Sequence, residues 1–306
     1  MKKLLVFDGN AILHRAYHAY PPLTNSQGEV INAVFGFFSM FLTVFTDQNP
    51  DYVVVCFDRG APTFRMNMYA GYHAQRPKMA DDFVLQVVMV HEMLAKMNVQ
   101  MFELDGYEAD DLIGTIAKEA VDKFKEDVVI VTGDRDLLQL VNPHVKVLMP
   151  LMGFTKTVLF DEEKVEEKYG VHPRQFIDYK ALIGDASDGY PGVSGIGPKS
   201  AAKLLQEHGT FEKLYKDIDL LPEKTALKLA TDAEQAALAK QLATIVTDSP
   251  IQFDLMKCAR VDFNLSALRE EFRKQSFKSL LTRLDTIFGK DPTEGSEQGK
   301  DQLELL

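Results

Sequence analysis

The chain carries the apolar run VVIVTG at residues 128–133, which ends on Asp134. Short valine-rich runs of this kind are typical of strands buried in a parallel sheet. Two further runs end in the same way: LLVF at 4–7 before Asp8 and YVVVCF at 52–57 before Asp58. The carboxyl ends of parallel strands lie along one sheet edge, where open α/β folds bind their ligands. The sequence therefore predicts that three aspartates meet at one edge of a parallel sheet.

Three carboxylates at one sheet edge need a neutralising charge. Like charges a few ångströms apart raise one another's pKa and oppose folding. Hard divalent cations bind carboxylate oxygens and remove this repulsion. A divalent metal site is therefore the natural interpretation of the three strand ends.

Further acids follow or precede other apolar segments. The motif GYEADD at 106–111 comes directly before a helical segment, Asp136 lies two residues after Asp134, and IGDASD spans 183–188. One such cluster alone is explained by helix capping or a turn, but five clusters in the same kind of position favour a shared site. The nine predicted metal ligands are Asp8, Asp58, Glu108, Asp110, Asp111, Asp134, Asp136, Asp185 and Asp188.

The composition is compatible with a nucleic-acid substrate. The 306 residues include 34 Lys and Arg against 45 Asp and Glu, a formal charge of -11. Nine of the acids belong to the predicted site and five to residues 291–306, so the remaining body is near neutral. The two cysteines are too few for a cysteine metal site. The chain shows neither a signal peptide nor an apolar run of membrane-spanning length, so we expect a cytoplasmic protein.

Strands and helices alternate in the first half of the chain, which predicts an α/β core at residues 1–165. A helical subdomain is expected at 166–288 and a disordered polar tail at 289–306. The periodicity predicts two further strands and five helices. They are strands at Val145–Met149 and Lys156–Phe160, and helices at Ile31–Phe45, Asp82–Met97, Asp110–Phe124, Pro222–Ala230 and Leu265–Phe288.

Two segments are suited to bind nucleic acid. In Phe64–Lys78, helical spacing places basic and aromatic side chains on one face, where guanidinium groups bind phosphates and rings stack on unpaired bases. The alternative is an ordinary amphipathic surface helix. The residues of this face are Arg65, Tyr69, Tyr72 and Arg76, with His73 beside them.

The second segment is GVSGIGPKSAAKLL at 192–205, which predicts a helix-hairpin-helix. Glycines allow the backbone to approach a phosphate, and the amides of a new helix N-terminus point at it. The alternative is an ordinary turn between two helices. The predicted DNA-binding residues are Gly192, Gly195, Gly197, Lys199 and Lys203.

Six motifs together resemble the bacterial 5′-nuclease family, which includes the 5′–3′ exonuclease domain of DNA polymerase I, its stand-alone relatives and, more distantly, the flap endonucleases. The resemblance covers about residues 1–288. It implies a PIN-like or Rossmann-like parallel sheet with flanking helices and a helical arch at about 60–100. The motifs are VFDGN (6–10), FDRGAPTFR (57–65), YAGYHAQRPK (69–78), GYEADD (106–111), VTGDRDLLQL (131–140) and ALIGDASDGYPGVSGIGPKSAAKLL (181–205).

The resemblance implies a monomeric, nucleoid-associated enzyme that cleaves DNA flaps, nicks, gaps and RNA–DNA primers with two Mg²⁺ or Mn²⁺ ions. The first ion would use Asp8, Asp58, Glu108, Asp110 and Asp111, and the second Asp134, Asp136, Asp185 and Asp188. Arg15, Arg65 and Arg76 match phosphate-steering positions, and K⁺ binds the hairpin in relatives. Two departures stand out. His73 replaces the usual lysine, and Gly189 replaces the usual asparagine, which is expected to loosen the loop after Asp188.

The chain ends on QLELL at 302–306, which resembles the peptide by which bacterial replication proteins bind the sliding clamp. The clamp-binding residues would be Gln302, Leu303, Leu305 and Leu306. A tether of this kind would raise the effective concentration of the enzyme at nicks. The alternative is an apolar chain end without a partner.

Three competing interpretations remain. A PIN-type ribonuclease shares the sheet but generally lacks the helix-hairpin-helix. A haloacid-dehalogenase-like phosphatase needs an aspartate two residues after Asp8, where Asn10 stands. A non-catalytic DNA-structure-binding relative is disfavoured because nine acids without metals would only destabilise the sheet edge.

Overall fold

The computed structural model describes residues 1–76, 78–151 and 156–290. A six-stranded sheet in the order β3-β2-β1-β4-β5-β6 forms its centre, with every pair parallel except β5 and β6. This mostly parallel sheet with flanking helices confirms the predicted fold class. The strands are β1 (Lys3–Asp8), β2 (Tyr52–Cys56), β3 (Gln100–Phe102), β4 (Asp127–Val131), β5 (Val145–Pro150) and β6 (Thr157–Phe160).

The register of the central strands aligns their carboxyl ends. Asp8, the last residue of β1, pairs with Cys56 at the end of β2, and Phe7 pairs with Val131 at the end of β4. Asp58 and Asp134 follow these strand ends within two or three residues. The backbone therefore brings the chain segments that carry the three aspartates to the same edge.

Helices cover both faces of the sheet. Leu4 and Val6 of β1 face one buried cluster, while Leu5 and Phe7 face the other, as strand alternation requires. The helices are α1 (Gly9–Ala19), α2 (Asn32–Gln48), α3 (Phe64–Met68), α4 (Asp81–Lys96), α5 (Ala109–Asp122), α6 (Glu162–Tyr169), α7 (Phe176–Ile183), α8 (Pro198–His208), α9 (Phe211–Lys216), α10 (Glu223–Thr231), α11 (Ala233–Ala243), α12 (Leu265–Lys274) and α13 (Lys278–Phe288). Among the helices of the described ranges, none is long and apolar enough to cross a membrane.

The last two helices differ from the prediction. The segment Leu265–Phe288 is interrupted at Ser276, whose φ of +59° cannot continue a helix, so α12 and α13 form instead. Phe272 of α12 and Leu280 and Leu284 of α13 are buried in the same cluster as α2 and α4. These helices therefore pack onto the layer that covers the α/β core and do not group with the helices that precede them.

A two-stranded hairpin connects α7 to α8. It consists of β7 (Gly184–Asp185) and β8 (Tyr190–Pro191), which pair antiparallel. Gly192 follows β8 and approaches α7 so closely that an added Cβ would lie 2.3 Å from the amide nitrogen of Gly184. Glycine at 192 is thus required for the hairpin to fold back onto α7, where it holds Asp185 near the main sheet edge.

Candidate metal centre and nucleic-acid site

Asp8 is the central carboxylate at the sheet edge. Its side chain caps α1 by accepting a hydrogen bond from the Ala11 amide at 2.9 Å, and it accepts another from the Thr132 hydroxyl at 2.6 Å. Only 3% of the residue is exposed. Burial raises the pKa of Asp8 to about 7, with smaller contributions from the charges of Asp58 and Asp134. Because the folded protein holds these acids close together, a bound cation would stabilise their charged forms.

Two more predicted ligands reach the same edge from β2 and α5. Asp58 accepts a hydrogen bond from the Ala109 amide at the start of α5, at 2.8 Å, and its own amide donates to Asn10 Oδ1 at 3.0 Å. Burial, followed by the charges of Asp134 and Asp8, raises the pKa of Asp110 well above its usual range. The structure thus brings Asp8, Asp58, Asp110 and Asp134 together.

A second acidic group lies where the hairpin meets the sheet edge. Asp136, Asp185 and Asp188 each offer one carboxylate oxygen, and these oxygens all lie within 4.8 Å of one another. Burial, together with the charge of Asp134, raises the pKa of Asp136 to about 7. Among the described residues, these three form a compact carboxylate set that could hold a metal ion.

Lys180 on α7 pairs with this second group. Its ammonium lies 2.5 Å from Asp136 Oδ1 and also bonds Asp185 Oδ2. Burial acts to raise the pKa of Asp185, but the hydrogen bond and the charge of Lys180 outweigh it, so this pKa lies below its usual range. Lys180 was not predicted from the sequence, although a lone lysine in the apolar helix FIDYKALI was a usable signal.

The donor set of both groups fits a hard divalent cation. Apart from Lys180, the atoms that converge are carboxylate oxygens, which suit Mg²⁺ and Mn²⁺ rather than softer metals. The Lys180 ammonium lies between Asp136 and Asp185, so a positive charge is already accommodated within the second group. The seven acids that the structure brings to this edge are Asp8, Asp58, Asp110, Asp134, Asp136, Asp185 and Asp188.

We expect the metal-free protein to lose stability as the pH rises from 5.5 to 8. The pKa values of Asp8 and Asp136 are raised to about 7, against about 4 in an unfolded chain. Between these two pKa values the folded state binds more protons than the unfolded state, so the free energy of unfolding falls as the pH rises. The stability is therefore fully present below the unfolded pKa and is lost once the pH has risen through the folded pKa. Thermal unfolding in EDTA at several pH values measures this.

The matched control for this pH dependence is Asp8→Asn, which removes one of the two raised groups and should flatten the curve. Mn²⁺ added at pH 8 should restore the lost stability by mass action. A melting temperature in EDTA that stays constant from pH 5.5 to 8 would contradict the prediction.

Asp111 and Arg65 form a buried structural pair, which differs from their predicted roles. The Arg65 guanidinium contacts both Asp111 oxygens at 2.8 Å and donates to the Leu242 and Thr244 carbonyls at 2.9 and 2.8 Å. Arg65 is 2% exposed and Asp111 is fully buried. Asp111 therefore has no place as a metal ligand, and Arg65 is not positioned to steer a phosphate.

Glu108 lies beside this pair and close to the first acidic group, since its charge contributes to the raised pKa of Asp110; its role as a metal ligand stays a prediction. Its carboxylate accepts hydrogen bonds from Thr63 at 3.0 Å, Arg65 at 3.1 Å and Tyr72 at 3.1 Å. Burial raises the pKa of Glu108, although the charges of Arg65 and His73 act against it. Glu108 thus connects the edge of the metal centre to the segment that follows α3.

The segment after α3 does not continue as the predicted helix. The helix ends at Met68, and residues 70–75 form turns in which His73 adopts a φ of +56°. The single face with four basic and aromatic side chains is therefore absent from the described residues 64–76. Tyr72 is buried with its hydroxyl on Glu108, whereas Tyr69 is half-buried.

The turn instead places two basic side chains on Asp188. His73 Nε2 lies 3.1 Å and Arg76 Nη2 2.9 Å from the same carboxylate oxygen, Asp188 Oδ1. Arg76 keeps 52% of its side chain exposed. Both residues therefore lie beside the second acidic group, with Arg76 accessible from solvent. Arg15 lies elsewhere, half-buried, and donates to the Leu151 carbonyl at 2.5 Å.

Gly189 allows the turn to approach Asp188. Its φ is +82°, and an added Cβ would lie 2.7 Å from the Gly71 carbonyl oxygen. The amide of His73 donates to the Asp188 carbonyl at 2.9 Å within the same contact. Glycine at 189 thus permits a close approach of two backbones, whereas the departure from the family pattern led us to expect a loosened loop.

We expect Gly189→Ala to destabilise the protein by about 2–3 kcal/mol, because it adds a clash with backbone to an unfavourable φ. Gly60→Ala is the matched control, since Gly60 has a φ of +74° but no atom within 4 Å of an added Cβ. The difference in free energy of unfolding between the two variants isolates the contact with Gly71. Equal losses in both variants would show that the contact does not constrain position 189.

The predicted helix-hairpin-helix glycines lie at the start of α8. Gly195 has a φ of +74°, and Gly197 precedes Pro198 as the N-cap. Lys199 and Lys203 are exposed on α8. Two carbonyls of the turn already accept hydrogen bonds from side chains: Gly195 from Lys228 at 2.8 Å and Gly192 from Gln235. The Lys228 ammonium thus already occupies one carbonyl of this turn, and K⁺ binding here stays a prediction.

The tail predictions lie outside the described residues. They concern Gln302, Leu303, Leu305 and Leu306, and the order or disorder of residues 291–306.

Two family models match the chain in succession. The N-terminal resolvase-like domain of 5′-3′ exonuclease matches residues 3–170, and the C-terminal SAM fold of 5′-3′ exonuclease matches residues 171–266. The second match ends close to the start of α12, the first of the two helices that pack back onto the core.

Individual relatives extend over nearly the whole chain. DNA polymerase I of Caldicellulosiruptor bescii is 43% identical over 287 residues, which cover 92% of this chain and 33% of the relative. The 5′-3′ exonuclease of Aquifex aeolicus is 36% identical and covers 94% of this chain and 97% of its own length. The chain thus spans about a third of the length of the DNA polymerase I relatives that it matches.

Solved structures show the same fold at lower identity. The T5 5′-exonuclease with bound zinc ions has a TM-score of 0.67 at 22% identity and covers 92% of this chain and 100% of its own. A bacteriophage T5 flap endonuclease in a pseudo-enzyme–product complex with DNA and metal ions also scores 0.67, at 21% identity, and covers 93% and 100%. Both family models and relatives above 30% identity agree, and the chain therefore belongs to the 5′–3′ exonuclease family.

Proposed function

We propose that this protein hydrolyses DNA phosphodiesters at 5′ ends and 5′ flaps with two divalent ions, Mg²⁺ or Mn²⁺. Its substrates would be flaps, nicks and gaps, including the RNA–DNA ends of primers, in the bacterial cytoplasm. The observation that supports this most strongly is the convergence of seven acids at one sheet edge, three of them with oxygens within 4.8 Å of one another. Family membership makes the nuclease reaction the natural use of such a site.

The acids would hold the ions in two groups. Asp8, Asp58 and Asp110 would bind one ion and Asp136, Asp185 and Asp188 the other. Asp134 would lie between them, since its charge acts on Asp8 and Asp110 of the first group and on Asp136 of the second. When bound, such ions supply a hydroxide at neutral pH and stabilise the leaving oxygen. Lys180 would balance the remaining negative charge at Asp136 and Asp185.

Basic side chains at both ends of the site would position the substrate. Arg76 is half exposed beside Asp188 and could turn from this carboxylate to a phosphate of the 5′ strand. His73 shares the same carboxylate oxygen. Lys199 and Lys203 on α8 would contact the downstream duplex, where the N-terminus of α8 favours phosphate.

The decisive experiment is cleavage of a 5′-labelled double-flap DNA with Mg²⁺, with Mn²⁺ and with EDTA. The proposal expects short labelled 5′ fragments with either metal and none with EDTA. Tight binding without cleavage would favour a non-catalytic DNA-structure-binding protein. Preferential cleavage of an equivalent single-stranded RNA would favour a ribonuclease.

For the chain end, we propose that residues 302–306 bind a bacterial sliding clamp. A fluorescent peptide of residues 295–306 should bind the cognate clamp, and replacement of Leu303 and Leu305 by alanine should abolish binding by removing the apolar anchors. Fluorescence anisotropy measures this. If the peptide and its double-alanine variant bind equally, the sequence likeness carries no function.

A further inference from the structure

Tyr190 lies directly opposite Asp185 in the hairpin that carries the second acidic group. The two residues are partners in the antiparallel pairing of β7 and β8. Side chains directly opposite one another in such a pair project from the same face. Tyr190 therefore points its side chain to the side on which Asp185 joins Asp136 and Asp188.

The hydroxyl of Tyr190 is buried without a hydrogen-bond partner among the described residues. The residue is only 3% exposed. Buried tyrosine hydroxyls usually find a partner, so such an exception calls for an explanation. Because the ring shares its face of the hairpin with Asp185, this hydroxyl is buried on the side of the second acidic group.

The neighbouring ring shows the contrast. Tyr72 stacks on Tyr190 with ring centroids 6.4 Å apart and an interplanar angle of 15°. Its hydroxyl donates to Glu108 at 3.1 Å, so it is satisfied by protein. The stack fixes the orientation of Tyr190, and only the Tyr190 hydroxyl of this pair remains without a protein partner in the described structure.

We propose that Tyr190 is a positioning residue whose hydroxyl accepts a hydrogen bond from a water coordinated to the ion held by Asp136, Asp185 and Asp188. Small divalent ions such as Mg²⁺ keep several waters when carboxylates bind them. Mutation of a group that hydrogen-bonds to a metal ligand typically weakens the affinity for the metal 10–100-fold. This inference rests on the proposed function, because it requires a metal ion at the second acidic group.

The test compares Mn²⁺ binding by the parent and by Tyr190→Phe, which keeps the ring and its stack. Titration calorimetry without DNA should show Mn²⁺ affinity about 10-fold weaker in the variant. Water-proton relaxation of the bound Mn²⁺ should change as well, because it reports the coordinated waters. Unfolding in EDTA should stay at or above the parent's temperature, since the hydroxyl has no protein partner to lose.

Tyr169→Phe is the matched control. Tyr169 also has a buried hydroxyl without a partner among the described residues, but it lies at the end of α6, outside the hairpin, where its ring packs against Phe176 and Tyr179. This variant should bind Mn²⁺ as the parent does. Parental affinity and relaxation in Tyr190→Phe would overturn the inference, and so would an equal loss in Tyr169→Phe.

Failure of the proposed function gives a different result. If the parent binds no Mn²⁺, or cleaves flaps equally well in EDTA, the metal centre is wrong and the role of Tyr190 falls with it. If the parent binds Mn²⁺ and cleaves, but Tyr190→Phe is unchanged in both binding and relaxation, only the role of Tyr190 is wrong.

Discussion

Asp136→Asn should reduce flap cleavage by about three orders of magnitude while leaving the fold intact. A metal ion supplies several kcal/mol of stabilisation to the transition state, and each 1.4 kcal/mol corresponds to a factor of ten in rate. Asp136 is 8% exposed and belongs to the compact set with Asp185 and Asp188. Single-turnover cleavage of a double-flap DNA with Mg²⁺ measures the loss.

The stability of the same variant separates loss of a ligand from loss of the fold. Burial and the charge of Asp134 oppose ionisation of Asp136 and outweigh the attraction of Lys180, which keeps Asp185 as a partner, so a neutral amide should leave the melting temperature in EDTA unchanged or higher. Such a gain in stability at the expense of activity is common at functional sites. Asp219→Asn, an exposed acid beyond α9, is the control and should cleave normally. Cleavage by Asp136→Asn at the parental rate would exclude Asp136 as a ligand.

The sheet and its acidic edge could be predicted because their signals are local. An apolar run that ends on an aspartate defines both a strand and the position of the carboxylate beyond it, as at Asp8 and Asp58. Parallel pairing then brings these positions together without further information. β3 was missed because it has three half-buried residues and too short a pattern to recognise.

The roles of Arg65 and Asp111 could not be predicted because they depend on distant segments. The carbonyls that bind Arg65 belong to Leu242 and Thr244, about 180 positions along the chain. Similarly, the sequence pattern from Phe64 onward predicts one helix, but the turn at residues 70–75 contacts Asp188 and Gly189 instead. Tertiary contacts outweigh helical propensity, which differs by less than about 1 kcal/mol per residue.

Arg65→Met should destabilise the protein by about 3–5 kcal/mol, because it leaves the fully buried Asp111 without its positive partner. The side chain connects α3, α5 and the C-terminal end of α11 through two hydrogen bonds to the Asp111 carboxylate and two to backbone carbonyls. We expect a fall in melting temperature on the order of 10 °C. Thermal unfolding with Mg²⁺ present measures the change.

Two further variants show whether the buried pair causes this loss. Arg65→Met combined with Asp111→Asn removes the unpaired charge and should recover part of the stability, although the amide replaces only some of the bonds that Asp111 accepts from the Glu108 and Val246 amides. Arg59→Met removes an arginine that is half exposed and pairs with Glu103 and Asp105 at 3.7 and 3.5 Å, so it should cost less than about 1 kcal/mol. If the double variant were less stable than Arg65→Met by the full cost of Asp111→Asn alone, the two side chains would contribute independently. The interpretation of Arg65 as the partner of a buried charge would then be wrong.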